Sequence, residues 1–149
     1  IGRDTRQSGP GIQAALEEGL AARGVGVIDI GIAPTPVVAM LGALWGCELG
    51  VVVSASHNPP AHNGIQLFAA NGLKVPDSGE IELEKIILGG ECRDAAATPG
   101  ERTEAHDYFR DYFSFVRDVC LEGRGLDGVK LVLDCANGAQ AEPAISRTS

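Results

Sequence analysis

A short polar loop carries the residues of this chain whose types and spacing suit chemistry best. The hydroxyls, imidazole and carboxamide of this loop belong to Ser54, Ser56, His57 and Asn58. Two prolines, Pro59 and Pro60, follow directly. An imidazole titrates near neutral pH, so it can exchange a proton with a group beside it. The residue types alone also fit a serine and a histidine in a surface turn, and both interpretations stay open at this point.

The stretch before the loop predicts a buried strand. Three consecutive valines, Val51, Val52 and Val53, show no polar alternation. That pattern is typical of a strand covered on both faces, as in a parallel sheet. Pro59 favours an extended conformation at Asn58 and cannot donate to a ladder, so the strand ends before it. Open α/β sheets bind ligands beyond the carboxyl ends of their strands, which is where the loop lies.

The rest of the chain alternates strand and helix signals. Three helix starts are predicted from capping residues: Ser8, Thr35 and Asp77. At the third, Glu80 follows Asp77 by three residues, which completes a capping-box pattern. A longer helix is predicted over 103–121. Strand signals recur at 25–30, 50–54, 65–69 and 73–75. The sequence therefore predicts an α/β fold with a mixed, largely parallel sheet and helices on both faces.

The end of the chain predicts a second structural unit. Residues 123–128 have the composition of a linker, and 129–133 predict a new strand. No further helix and strand follow to bury that strand. We therefore predict a first domain over 1–122, with its opening residues missing. Residues 123–149 are then a linker and the start of a second, similar domain.

Composition and charge exclude several classes of protein. The chain has 149 residues, 44% of them hydrophobic, which is enough for one compact domain. Its net charge is −8, but residues 1–75 contain four cationic and five acidic residues, a net of −1. The half with the loop is thus close to neutral and suits an anionic substrate. The sequence contains no basic stripe of the kind that would predict nucleic-acid binding. Its apolar runs are shorter than the roughly 20 residues that span a bilayer.

The cysteines predict a reducing environment. None of the four forms a C-x-x-C pair: Cys47, Cys92, Cys120 and Cys135. Free, buried thiols in a cytoplasmic protein are therefore expected, rather than a metal site or a disulfide framework.

Four segments together resemble one enzyme family. The segment Ser54-Ala55-Ser56-His57-Asn58-Pro59, followed by Asn63-Gly64-Ile65, resembles the active-site loop of the α-D-phosphohexomutases. Three weaker matches occur in the same order as in that family: Gly2-Arg3-Asp4-Thr5-Arg6, Ala33-Pro34-Thr35-Pro36 and Leu133-Asp134-Cys135-Ala136-Asn137-Gly138. The Ser-Ala-Ser opening is most similar to the phosphoglucosamine mutase branch, because the other branches more often begin with Thr.

The resemblance implies a function for this loop. Members of the family move a phosphoryl group between two hydroxyls of a hexose or hexosamine phosphate, through a phosphorylated serine and with Mg²⁺. It assigns the phosphoserine to Ser56, whose phosphate would also be a Mg²⁺ ligand, and a catalytic role to His57. Arg3, Arg6 and Asn58 would support the phosphate or the loop. Ser54 and an Arg6–Asp4 ion pair are expected to be structural.

Two departures and three absences weaken the implied activity. Gln66 stands where the family usually has a lysine that is a proposed general acid or base, and glutamine cannot transfer a proton in that way. His62 replaces a residue that is usually acidic or aromatic. The metal-binding, sugar-recognition and C-terminal phosphate-binding loops of the family are not in this sequence. We therefore expect the chain alone to bind Mg²⁺ weakly, to turn over no substrate and to need the missing domains of its parent.

Other functions stay open. A phosphomannomutase or phosphoglucomutase fragment is the nearest alternative, because the sugar-recognition loop is absent. A phosphate-binding or interaction domain without catalysis is a second alternative, favoured by Gln66. The sequence gives no indication of the oligomeric state.

Overall fold

The computed structural model describes residues 1–90, 96, 98–122, 124–125 and 127–141. In chain order its elements are β1 (Gly2–Arg3), α1 (Gly9–Ala21), β2 (Val27–Asp29), α2 (Thr35–Leu44), β3 (Leu49–Val53), β4 (Ile65–Ala69), α3 (Asp77–Gly89), β5 (Arg102–Glu104) and α4 (Tyr108–Cys120). The predicted α/β class is confirmed. None of the helices within these ranges is both long and apolar enough to cross a bilayer.

The strands form a mixed, largely parallel arrangement. β1 pairs parallel with β3, β2 pairs parallel with β5, and β4 pairs antiparallel with β3. Backbone hydrogen bonds of 3.0 Å connect the two groups, from Arg3 N–H to Gly31 O and from Ile30 N–H to Ile1 O. Across the described residues the strand order is therefore β5-β2-β1-β3-β4. Because β1 and β3 run in the same direction, the loops after them meet at one edge.

The core lies between the sheet and helices α2 and α4. The valines of β3, Val51, Val52 and Val53, are 5%, 1% and 0% exposed, as their unbroken run predicts. The buried cluster combines aliphatic residues with one tyrosine: Ile30, Ala33, Val37, Val38, Leu41, Val52 and Tyr108. Burying one Val or Leu side chain contributes about 1.5–3 kcal/mol relative to leaving it exposed. This cluster therefore fixes the carboxyl end of β3, from which the polar loop departs.

A second, polar anchor surrounds Arg102 at the start of β5. Its Nε lies 2.8 Å from Glu17 Oε2 and its Nη2 lies 3.1 Å from Asp29 Oδ2. Glu17, in α1, is 4% exposed and also accepts a 2.7 Å hydrogen bond from the Gln13 amide. Burial alone acts to raise the pKa of Asp29. Hydrogen bonds from Gly31, Gln13 and Arg102 outweigh that effect and lower this pKa below its ordinary value.

The predicted helix over 103–121 is wrong at its amino end. α4 begins only at Tyr108, and the preceding segment forms β5 beside β2. Starting a helix orders several residues for a single hydrogen bond, whereas the ladder with β2 supplies bonds at once. Tertiary pairing therefore determines the structure of this segment.

The predicted strand over 129–133 is also wrong. The structure gives these residues no strand, and Leu131, Val132 and Leu133 are 63%, 100% and 70% exposed. A strand needs a neighbour that satisfies its backbone groups, and none of the strands in the described ranges pairs with this segment. The domain boundary between 122 and 123 stays a prediction.

The predicted helix caps are wrong in detail. Ser8 occupies the N-cap position of α1, but its hydroxyl makes no capping bond. Prolines, not Thr35 or Asp77, precede the other two helices: Pro34 before α2 and Pro76 before α3. Both prolines have extended backbone, with ψ of 146° and 152°. The fixed φ of proline sets the direction of entry here without a side-chain cap.

The cysteines are less buried than predicted. Cys47 and Cys135 are half-buried and Cys120 is exposed, and all three are free thiols. Cys120 ends α4, where the helix leaves the core. Cys92 lies outside the described residues.

Candidate active site

Ser54 connects the end of β3 to the loop after β1. It is 7% exposed, and its Oγ donates a 2.6 Å hydrogen bond to Asp4 Oδ2. The same Oγ accepts a 3.0 Å hydrogen bond from the Ser56 N–H. The backbone N–H of Ser54 donates to Gly64 O at 2.9 Å, which closes the base of the loop. Ser54 thus makes the loop-backbone bond expected of a structural residue.

Ser56 presents its side chain outward from a strained backbone. Its φ is 55°, in the left-handed region, and the residue is exposed. For a residue other than glycine that conformation costs roughly 1–2 kcal/mol. Its Oγ lies 3.3 Å from His57 Nδ1, and His57 is exposed as well. The hydroxyl is therefore accessible and next to a group that can exchange its proton.

Arg6 holds the loop in this conformation. Its Nε donates to Asp4 Oδ2 at 2.9 Å, so the expected ion pair is present. Its Nη1 and Nη2 groups donate at 2.7–2.9 Å to four carbonyl oxygens of the loop: those of Ser56, Asn58, Pro59 and His62. A guanidinium has five N–H donors, and here every one has a partner. Arg6 is 9% exposed and has no donor left for a substrate phosphate.

The other predicted site residues take less direct positions. The Asn58 N–H donates to Ala55 O at 3.1 Å, so Asn58 belongs to the turn itself. Arg3 is half-buried, and its Nη1 donates to the Asp4 carbonyl oxygen at 3.4 Å rather than to the Ser56 loop. Gln66 is half-buried in β4, where its backbone pairs with Val52. The structure thus brings Ser56, His57, Asn58 and Arg6 together and leaves Arg3 to one side.

Sequence reasoning missed two contacts of the loop. The Asn63 amide donates a 3.0 Å hydrogen bond to Ser8 Oγ, which ties the end of the loop to the start of α1. The Thr5 hydroxyl donates to the carbonyl oxygen of Asn137 at 3.0 Å. Both asparagines precede a glycine in segments of the family resemblance, but nothing in the sequence indicates their partners.

Ser56 borders two cavities. One, of about 330 Å³, is also lined by Thr35 and Gln140; the other, of about 650 Å³, is also lined by Thr5 and Asn137. Both have Asp4 and Gly138 in their walls. A further cavity of about 380 Å³ lies at the amino ends of the strands, and its lining includes none of the loop residues.

The residues around Ser56 do not fit a Mg²⁺ site made by this chain alone. Mg²⁺ requires near-octahedral coordination by oxygens. Asp4 is the carboxylate that lines the cavities, and it is already bonded to Arg6 and Ser54. In the part of the chain that is described, no group of three or more His, Cys, Asp or Glu residues is arranged to hold a metal ion.

The fold and this site define an α/β domain that exposes a serine hydroxyl where two parallel strands end. The family profile described as phosphoglucomutase/phosphomannomutase, alpha/beta/alpha domain I, matches residues 1–93. The chain belongs to this family.

Relatives named phosphoglucosamine mutase match nearly the whole chain. That of Moorella thermoacetica is 45% identical over 150 residues and that of Syntrophotalea carbinolica 42% over 150, each match covering 97% of this chain and 33% of the relative. The chain thus spans about a third of the length of these relatives. A crystal structure of a phosphoglucomutase/phosphomannomutase family protein from Burkholderia thailandensis superposes with a TM-score of 0.62 at 29% identity. The superposition covers 79% of this chain and 26% of the Burkholderia thailandensis protein.

Proposed function

We propose that this chain is the nucleophile-bearing part of a phosphoglucosamine mutase, which interconverts glucosamine 6-phosphate and glucosamine 1-phosphate through a phosphoserine at Ser56. The observation that carries the proposal is the accessible Ser56 hydroxyl on a loop fixed by four hydrogen bonds from Arg6. Relatives with that name, 42–45% identical, support the choice of sugar.

The proposed reaction has two balanced transfers. A phosphoryl group on Ser56 passes to the free hydroxyl of the sugar monophosphate: the bond from phosphorus to Ser56 Oγ breaks, and one to the sugar oxygen forms. The hydroxyl proton ends on Ser56 Oγ, and the product is a sugar 1,6-bisphosphate. After the bisphosphate has reversed its orientation in the site, Ser56 Oγ attacks the phosphorus of the other phosphate. The proton of Ser56 Oγ goes to the departing sugar oxygen. Dividing the reaction into two transfers allows each one to proceed as an in-line displacement at phosphorus.

His57 is the proposed proton carrier at Ser56. Its Nδ1 is 3.3 Å from Ser56 Oγ, within reach of the proton once the groups close up on a ligand. Gln66 cannot serve as an acid or base, so transfer at the sugar oxygen depends on a group outside the described residues or proceeds slowly. Mg²⁺, when bound to the Ser56 phosphate, would supply positive charge to the transferred group, and its other ligands would come from elsewhere in the parent protein. The cytoplasmic location remains part of the proposal.

Labelling of Ser56 tests the phosphoserine. The chain is incubated with ³²P-labelled glucosamine 1,6-bisphosphate and Mg²⁺, and the modified peptide is located by mass spectrometry. We expect slow, single labelling at Ser56, none in Ser56→Ala, and unchanged labelling in Ser78→Ala, an exposed serine of α3. Label elsewhere, or equal label in Ser56→Ala, contradicts the proposal. Glucose and mannose bisphosphates in the same assay test the alternative sugars.

Gln66 favours a second candidate, a phosphate-binding module that does not catalyse. Binding of glucosamine 6-phosphate without any label at Ser56 would support it. A chimera in which this chain replaces the matching third of the Moorella thermoacetica enzyme separates the two further. If Gln66 limits proton transfer, Gln66→Lys raises turnover of the chimera by about 10²-fold or more. A chimera that is folded but stays inactive after the Gln66→Lys substitution favours the binding module.

A further inference from the structure

The turn at residues 135–138 borders Ser56, although it is distant in sequence. The Thr5 hydroxyl donates a 3.0 Å hydrogen bond to the Asn137 carbonyl oxygen. The larger of the two cavities at Ser56, about 650 Å³, is lined by Ala136, Asn137 and Gly138. The turn is therefore part of the wall around the nucleophile, a position that the family resemblance of this segment does not explain.

This turn keeps a conformation that most residues avoid. Ala136 and Asn137 have φ values of 46° and 55°, and the Gly138 N–H donates to Cys135 O at 2.7 Å. The Asp134 carboxylate fixes the turn further by accepting a 2.9 Å hydrogen bond from the Ala136 N–H. Two successive left-handed residues other than glycine are unfavourable, and such strain tends to occur at sites of function.

The larger cavity offers neutral hydrogen-bonding groups. Thr5, Gln7 and Asn137 line it together with Ser56. Arg6 and Asp4 also line it, but they pair with each other, and the loop carbonyls occupy the remaining donors of Arg6. One hydroxyl and two carboxamides can donate to and accept from sugar hydroxyls, whereas they carry no charge for a phosphate. The volume falls within the roughly 300–1,000 Å³ typical of small-molecule sites.

We propose that Asn137 is a substrate-binding residue whose carboxamide hydrogen-bonds to a ring hydroxyl of the sugar phosphate and holds the sugar beside Ser56. This inference rests on the proposed function and adds a residue that contacts the sugar from this part of the protein. The strained turn carries Asn137 at the cavity wall, and the Thr5 hydrogen bond keeps the turn against the Ser56 loop. Asn137 therefore contributes to the binding of a sugar phosphate and not to that of phosphate alone.

Binding of two probes, followed by NMR titration of the chain, tests this assignment. The probes are glucosamine 6-phosphate and inorganic phosphate. Asn137→Gly removes the carboxamide and retains the left-handed backbone, which glycine tolerates. We expect affinity for glucosamine 6-phosphate to fall about threefold to tenfold, the loss of one ordinary hydrogen bond, and affinity for phosphate to stay the same. Asn71→Gly, in the turn after β4, is the matched control and changes neither.

Several results overturn the assignment. Unchanged affinity for glucosamine 6-phosphate does so, as do an equal loss for both probes and an absence of binding to the unmodified chain. Thermal unfolding verifies that the Asn137→Gly variant is folded. If that variant does not fold, Asn137→Ser replaces it, with the same expected loss of affinity for glucosamine 6-phosphate and unchanged affinity for phosphate. Label at Ser56 without an effect of Asn137 overturns this inference alone. The Asn137 effect without label at Ser56 overturns the proposed function and leaves Asn137 as part of a binding module.

Discussion

Two arginines in this protein contact different kinds of acceptor. Arg6 donates to one carboxylate and to four backbone carbonyl oxygens of the Ser56 loop. Arg102 reaches the carboxylates of Glu17 and Asp29, on α1 and β2. Arg6 is 9% exposed and Arg102 50% exposed. The first arginine shapes a loop, and the second joins elements of the scaffold.

The difference between acceptors predicts a difference in behaviour. Carbonyl oxygens do not titrate, so the four Arg6 contacts with the loop carbonyls keep their strength across the pH range in which the chain is folded. The pKa of the Asp29 carboxyl beside Arg102 is lowered in the folded chain, so its contribution to stability depends on pH. Removing Arg6 should therefore affect chemistry at Ser56, whereas removing Arg102 should affect the free energy of unfolding.

Loss of Arg6 should have the largest effect. Arg6→Ala frees four loop carbonyls, and displacement of a reacting group by about 1 Å can cost about 100-fold in rate. We expect labelling of Ser56 to slow by about that factor. Arg6→Lys should recover little, because an ammonium has three donors where five are used. Arg110→Lys, at an exposed position of α4, is the control and should label normally. A normal rate in Arg6→Ala would remove the distinction between the two arginines.

Loss of Arg102 should reduce stability without affecting the label. Arg102→Ala leaves the buried Glu17 carboxylate with the Gln13 amide as its remaining partner. Leaving a buried acceptor such as Glu17 short of a partner costs about 1–3 kcal/mol of the free energy of unfolding. Chemical denaturation measures that change, and the labelling rate of the folded variant should match that of the unmodified chain. Slower labelling at full stability would mean that the two clusters are not separate in function.

Acid should weaken the Arg102 cluster. The pKa of Asp29 is lowered in the folded chain, against about 3.9 for an ordinary aspartate. The unfolded chain therefore takes up its proton first as the pH falls. The contribution of Asp29 is complete above that ordinary value and is lost as the pH falls through the folded pKa. Asp29→Asn should flatten the fall in stability at acid pH, while exposed Asp118→Asn should not. Identical acid profiles for all three chains would contradict this.

The smallest effect should be the coupling between the clusters. Arg6 and Arg102 share no partner among the described residues. The two stability changes should therefore add in the double variant to within about 0.3–0.5 kcal/mol. A larger interaction energy in that double-mutant cycle would show that the loop and the scaffold respond to each other.

The sequence predicted much of the surroundings of Arg6 and little of the surroundings of Arg102. The valine run, the prolines and the family resemblance located the Ser56 loop, and the proximity of Asp4 suggested the ion pair. The Arg102 cluster depends on β5, whose last two residues were predicted as the start of a helix. Its partners Glu17 and Asp29 are far from it in sequence, and only strand pairing brings them together.

The remaining errors have two causes: a partner that is distant in sequence, and proline at the start of a helix. The apolar residues at 129–133 satisfy the strand pattern, but a strand also depends on a neighbour that the pattern does not reveal. The capping predictions for α2 and α3 failed because prolines set the entries of these helices. The contact between Thr5 and Asn137 spans 132 residues, and no local signal predicts it.

Return of the phosphoryl group from Ser56 to a sugar tests the central claim most directly. The chimera with the Moorella thermoacetica enzyme, which supplies the domains that this chain is expected to need, is labelled at Ser56 and purified. It is then mixed with unlabelled glucosamine 6-phosphate and sampled over time. We predict that the Ser56 peptide returns to its unmodified mass while the label appears in a sugar bisphosphate. A label that stays on Ser56, or that leaves only as inorganic phosphate, would contradict a transferable phosphoryl group at this serine.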